Sequence, residues 1–104
     1  MSDLQTEAEF TRNVNTKFRL LVEAPLPIDL TLISVTPRKN ESHEQAGMER
    51  FSVIFRGPLE IFLPQQTYRV SHPDMGEFDI FLVALGQEPD GFKYEAVYNR
   101  YLDD

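Results

Sequence analysis

The sequence predicts an all-β domain with a short N-terminal helix and about six antiparallel strands, curled into a small barrel or a strongly bent sheet. Apolar and polar residues alternate with a period of two in most segments after residue 15, as half-buried strands do. Proline and glycine separate these segments, as turns require. The composition, 41% hydrophobic and 26% charged over 104 residues, is typical of one soluble domain. A two-sheet sandwich is the alternative arrangement.

One helix is predicted near the N-terminus. Thr6 and Glu9 have the spacing of a capping box, in which the Thr hydroxyl accepts a hydrogen bond from the Glu amide. Phe10 and Val14 are four residues apart and share one face, and Asn15 tolerates the left-handed conformation in which helices often end. Because so short a helix is marginal alone, we expect Phe10 and Val14 to plug one end of the sheet.

The first two strands are predicted as a hairpin. Phe18, Leu20 and Val22 alternate with charged residues, and the proline-containing segment 24–27 then forms a turn. Residues 28–36 are β-branched or apolar on both alternating sets, which indicates a strand covered on much of both faces.

Four further strands are predicted after a long polar segment. Residues 37–49 contain hardly an apolar group and are expected to form an exposed loop. The strands follow at about 50–56, 67–72, 77–85 and 92–98, and a turn with proline before glycine precedes each of the last two. The last three should form an antiparallel meander.

The alternation also predicts which side chains form the core. The expected core residues are Phe18, Leu20, Leu30, Leu32, Phe51, Val53, Phe55, Tyr68, Val70, Phe81, Val83 and Tyr94. The strand 77–85 is apolar on both faces, so one face must meet something besides this core. With Phe81 and Val83 assigned to the core, Phe78, Ile80 and Leu82 become interface candidates, together with the C-terminal aromatics Tyr98 and Tyr101.

Charge and composition disfavour several partners. A net charge of −7 argues against nucleic acid and anionic membrane surfaces, which both require clustered Lys and Arg. No apolar segment is long enough to span a membrane, and the acidic N-terminus is unlike a signal peptide, so we expect a cytoplasmic chain. One domain is expected over 1–104, with 1–5 and 102–104 flexible.

The motifs of common active sites are missing from the sequence, and we predict no catalytic residue, no metal site and no cofactor. Ser71 and His72 are neighbours on a strand and point to opposite faces, so they cannot both address one substrate. His43 and Glu44 lack a further ligand at the spacing that metal sites use. The chain has no cysteine for disulfide, thiolate or metal chemistry.

Short motifs over most of the chain carry a family resemblance. They are FSVIFRGPL at 51–59, LPQ at 63–65, YR at 68–69, HP at 72–73, Gly76, FLV at 81–83 and YEAVYN at 94–99. Together with Phe10 and Phe18, this combination resembles a family of small uncharacterised bacterial domains. The family usually has Gly where this chain has Asn15 and Gln66, and Pro where it has Ala84. The resemblance implies a domain of unknown function. Because it also implies relatives near phage-tail-like genes, it gives slight support to a structural role.

Two hypotheses for function follow from the sequence. The first is a non-catalytic structural or protein-interaction domain, such as an accessory of a phage-tail-like or other assembly, with a protein partner or self-association. The alternative is a small-ligand-binding β-barrel or minor enzyme that uses Arg56, Tyr68, His72 and Glu95 around the barrel mouth. The alternative requires these four side chains to converge in one concave pocket.

Overall fold

The computed structural model describes residues 6–23, 27–37 and 48–101. The predictions for 1–5 and 102–104 and for most of the polar segment lie outside these ranges. Pro37 ends a strand, and Met48 and Glu49 begin the next one, so the ends of the predicted 37–49 loop belong to strands.

The N-terminal helix α1 spans Glu7–Arg12. The Thr6 hydroxyl accepts from the Glu9 amide at 3.2 Å, which confirms the predicted cap. Asn15 adopts φ +74°, the left-handed conformation expected there. The chain can therefore turn directly from the helix into the first strand.

Six strands follow in the part of the chain that the structure describes. They are β1 (Lys17–Leu20), β2 (Asp29–Pro37), β3 (Met48–Gly57), β4 (Gln66–His72), β5 (Gly76–Glu88) and β6 (Gly91–Tyr101). All pairs are antiparallel, in the order β1-β2-β3-β6-β5-β4, and the sheet closes into a ring because β1 also pairs with β4. The predicted all-β fold, the β1–β2 hairpin and the β4–β5–β6 meander are confirmed.

The core lies inside this ring. Its largest fully buried side chains are Tyr94, Phe10, Phe18, Phe51, Phe55, Leu30, Leu32, Leu82, Val53 and Val70. Phe10 projects from α1 at the end of the ring where β3 begins, and its ring lies 5.9 Å from that of Phe51. Val14 lies beyond the end of α1, not within the helix as predicted, but it packs against the same core, so α1 and the turn after it close this "helix end" of the ring.

A β-bulge explains why β2 is apolar on both alternating sets. Leu30 and Leu32 are fully buried, and the register with β3 shifts between Leu32 and Ser34. Beyond the shift Val35 pairs with Val53 and packs on the core, although the alternation of Leu30 and Leu32 would point it outward. Residues from both alternating sets therefore reach one core.

The core prediction for β5 is wrong. Phe78, Ile80 and Leu82 are at most 5% exposed, whereas Phe81, predicted to be in the core, is 50% exposed. Val83 lies on the same outer face of β5 as Phe81. Directly paired residues share a face, and β5 aligns its inner set with the buried residues of β4: Phe78 with Val70 and Ile80 with Tyr68.

The interface prediction for Phe78, Ile80 and Leu82 is corrected by the same pairing. These side chains are part of the protein's own core and are not available to a partner.

Candidate functional site

The four residues of the ligand-binding hypothesis do not converge. Tyr68 and His72 point into the ring and are each 5% exposed. Arg56 and Glu95 follow the buried residues Phe55 and Tyr94 in their strands, so their side chains lie on the outer surface. The common pocket that the alternative hypothesis requires is therefore not assembled.

His72 is held by hydrogen bonds at both ring nitrogens. Its Nδ1 accepts from the amides of Asp74 and Met75 at 3.0 and 3.3 Å. Its Nε2 lies 2.8 Å from Thr16 Oγ1, which itself donates to the Asn13 carbonyl at 2.6 Å. These partners assign the neutral ring with the proton on Nε2.

Burial lowers the pKa of His72 below its ordinary value of 6.5, and the nearby Asp74 carboxylate opposes this only in part. The imidazole also lies against Phe18, with 4.2 Å between ring centroids. His72 therefore joins the β4–β5 turn to the segment after α1, which is a structural role.

Two tyrosines hold the connection between β3 and β4. Because these strands are not neighbours in the ring, residues 58–65 must cross its other end, which we call the loop end. Tyr68 donates to the Pro64 carbonyl at 2.6 Å, and the Tyr94 hydroxyl accepts from the Leu63 amide at 3.0 Å. Burial raises the pKa of both tyrosines, so they stay neutral and structural at physiological pH.

Arg56 lies beside a shallow notch of about 210 Å³ on the outer surface. The notch is lined by Lys17, Asp29, Thr31, Arg56, Gly57, Pro58 and Asp90. Arg56 donates to Asp90 at 3.2 Å, and Asp29 is paired with Arg19. Such exposed pairs contribute about 0–1 kcal/mol. Because two cations and two carboxylates line the notch, it has no strong preference for a charged ligand.

Neither a metal centre nor a membrane span is found where the structure describes the chain. Within these ranges no group of three or more His, Cys, Asp or Glu side chains could hold a metal ion. No helix in the same ranges is long and apolar enough to cross a membrane.

The sequence predicted a second apolar face on β5 but assigned it to the wrong side chains, and the structure shows it as an apolar strip on the outer face of the sheet. Phe81 and Leu85 of β5 are 50% and 54% exposed, and Val97 of β6 is 46% exposed. We call this the outer strip; it comprises Phe81, Val83, Leu85, Val97 and, on β3, Ile54. Glu95 pairs with both Ile54 and Val83 and therefore lies within it.

The two predicted interface tyrosines are placed differently. Tyr98 is partly buried at the helix end, where its ring stacks on Phe51 at 5.0 Å and contacts Phe10 at 5.4 Å. The side chain of Tyr101 lies outside what the structure describes. Tyr98 thus contributes mainly to the core.

The register of the β4–β5 hairpin could have revealed the outer strip from sequence. A turn at residues 73–75 pairs His72 with Gly76, and counting outward places Phe78 and Ile80 opposite Val70 and Tyr68. Phe81 then falls on the outer face.

Comparison with known proteins gives one match. A family model described as Domain of unknown function (DUF6916) matches residues 5–98. No curated protein and no solved structure matches the chain.

Proposed function

This chain belongs to the DUF6916 family, a domain of unknown function, and we propose that it is a non-catalytic protein-interaction domain. The docking surface is the outer strip, and the partner is another protein chain of a larger assembly.

The observation that carries this proposal is the exposure of Phe81, Leu85 and Val97 on adjacent strands of one face. The ring has its own core of buried aromatic and aliphatic side chains, so folding does not require these three residues to be apolar. Covering a large apolar side chain contributes about 1.5–3 kcal/mol when burial is complete. Exposed apolar patches of this kind mark interaction surfaces.

The hydrogen bonds that His72 and Tyr68 make within the protein support a non-catalytic role. A general base must have a free nitrogen or oxygen that can reach a substrate. Both ring nitrogens of His72 are occupied by internal partners, and the Tyr68 hydroxyl is bound to the backbone. The residues that chemistry would use are therefore engaged in holding the fold.

Site-specific photocrosslinking tests the proposal. A benzophenone amino acid replaces Phe81 in one protein and Leu59 in a control; Leu59 is 43% exposed but lies on the loop 58–65. In the native cells, we expect the probe at position 81 to give a discrete crosslinked product, and adding Val97→Lys to abolish it. Equal crosslinking at both positions, or no product at position 81, would contradict the proposal.

A further inference from the structure

A single carboxylate lies at the centre of the outer strip. Glu95 pairs with Ile54 of β3 on one side and with Val83 of β5 on the other, so these three side chains share the outer face. Along β6, Val97 and Lys93 each lie two residues from Glu95 and therefore point to the same face. Apolar side chains thus border Glu95 on three sides, and Lys93 lies on the fourth.

The cations around the outer strip are engaged with other carboxylates. Their ion pairs are Lys93–Glu88 at 3.1 Å, Arg56–Asp90 at 3.2 Å and Arg69–Asp79 at 3.1 Å. Over the part of the chain that the structure describes, Glu95 has neither an ion pair nor a hydrogen bond. Its carboxylate therefore depends on water in the isolated protein.

A partner that covers the outer strip must also cover Glu95, because apolar side chains surround this residue. Removing a carboxylate from water is strongly unfavourable unless a cation or hydrogen-bond donors replace the water. The partner surface is therefore apolar around one basic side chain that reaches Glu95. A charge pair enclosed in this way also rejects partners that lack the cation.

The width of the outer strip indicates the shape of the partner. Ile54 pairs on its other side with Ser34 of β2, and Phe81 pairs with Thr67 of β4, so polar residues bound the strip on both sides. The outer two of three adjacent strands lie about 10 Å apart, and an α-helix with its side chains is about 10–12 Å across. One helix lying along the strands covers the strip, whereas a second sheet would extend over the polar residues on either side.

We propose that the partner docks an amphipathic α-helix on the outer strip, and that the apolar face of this helix carries one Lys or Arg that pairs with Glu95. This inference rests on the proposed interaction function and names the chemistry of the partner. The apolar contacts with Phe81, Leu85 and Val97 supply affinity, and the charge pair with Glu95 selects the partner.

Other occupants fit these features less well. A two-fold dimer through the outer strip would bring the Glu95 carboxylates of both copies together at its centre, where like charges repel. An extended chain lying on the face of the sheet would leave its own amides and carbonyls unpaired once water is excluded. A helix satisfies its backbone internally, and a helix from a different chain can supply the cation.

Charge variants of the photocrosslinking protein test the pairing. The benzophenone probe stays at position 81, and Glu95→Gln removes the charge while keeping the size of the side chain. We expect this variant to give at least tenfold less crosslinked product in the native cells. Glu60→Gln, on the exposed loop 58–65, makes the same change in net charge and should keep the yield within twofold. Urea unfolding should give wild-type midpoints for both variants, because Glu95 and Glu60 have no bond within the described chain to lose.

Identification of the crosslinked segment by mass spectrometry allows a charge swap. The segment should have apolar residues at a helical spacing, with a Lys or Arg among them. Replacing that basic residue by Glu in the partner should lower the crosslink yield at least tenfold, and Glu95→Lys in this chain should restore it. Restoration by the second change requires that the two side chains interact directly.

The two proposals can fail separately. The helix inference is overturned, while the interaction function stands, if position 81 crosslinks but Glu95→Gln leaves the yield unchanged. A crosslinked segment that comes from a second copy of this chain, or that has no basic residue among its apolar ones, has the same meaning. Absence of any crosslink at position 81 overturns the interaction function, and the helix inference with it.

Discussion

Acidification should destabilise this protein through His72. The native state holds the ring neutral, because Nδ1 accepts two amide hydrogens and burial lowers the pKa of the ring. The unfolded chain therefore takes up a proton first as the pH falls. The stabilisation is complete above about pH 6.5 and is lost as the pH falls from there through the lower folded-state pKa.

The expected size of this loss of stability follows from the single proton that His72 takes up. A single titrating group changes the free energy of unfolding by at most about 1.4 kcal/mol per pH unit. Carboxylates titrate mainly below pH 5, so the interval from pH 7 to 5.5 reports chiefly on histidine. Urea unfolding at several pH values within this interval measures the slope.

The variant His72→Asn separates protonation from the fold. The Asn side-chain oxygen can replace Nδ1 as the acceptor for the Asp74 amide, as Asn does in Asx turns. The variant loses the bond to Thr16 and the contact with Phe18, so we expect it to be about 1–3 kcal/mol less stable at pH 7. Its stability should no longer fall between pH 7 and 5.5.

His43→Asn removes the only other histidine and is the matched control, which should keep the wild-type slope. The reasoning is refuted if wild-type stability is flat over this interval, or if His72→Asn keeps the full slope.

Three further predictions test packing and the loop end, each by urea unfolding against the wild type. Phe10→Ala should reduce the free energy of unfolding by about 3–5 kcal/mol, because the fully buried Phe10 ring contacts four aromatic side chains. A loss below about 1 kcal/mol would show that α1 does not plug the ring. Gly91→Ala should be more destabilising than Gly86→Ala. Both glycines have positive φ, but only at Gly91 would an added Cβ approach a backbone oxygen, at 2.3 Å. Equal losses of stability in the two variants would contradict this prediction. Tyr94→Phe should lose about 1–3 kcal/mol because it leaves the buried Leu63 amide without its acceptor, and an unchanged midpoint would argue against that bond.

Much of the fold is predictable because its signals are local. The helix cap at Thr6, the left-handed Asn15 and the alternation around Phe51 and Val53 depend on neighbouring residues only. The core prediction is correct for every strand in which one alternating set is clearly more polar than the other. It is wrong for β5, where both sets are apolar.

The candidate site was less predictable because it depends on distant strands. Arg56 and Glu95 could be assigned to a pocket with Tyr68 and His72 only by ignoring the alternation of side chains along each strand, which places Arg56 and Glu95 on the outer surface. The partners of His72 also include Thr16, 56 residues away in sequence, and no local pattern indicates that contact.

The sequence by itself determined the strands, the helix and the side chains that alternate along each strand, because backbone geometry alone sets the period of two. Strand pairing decided which face of β5 is covered, and tertiary structure decided which distant side chains meet in the core. Phe78 is buried because it pairs with Val70, and Phe81 is exposed because the pairing of β5 with β4 turns it outward. Phe10, Phe78 and Tyr98, which are far apart in sequence, meet in one core. Alternation along β5 alone is apolar on both faces and cannot specify the first outcome, which needs the register of the β4–β5 hairpin. The second outcome depends on contacts between distant segments.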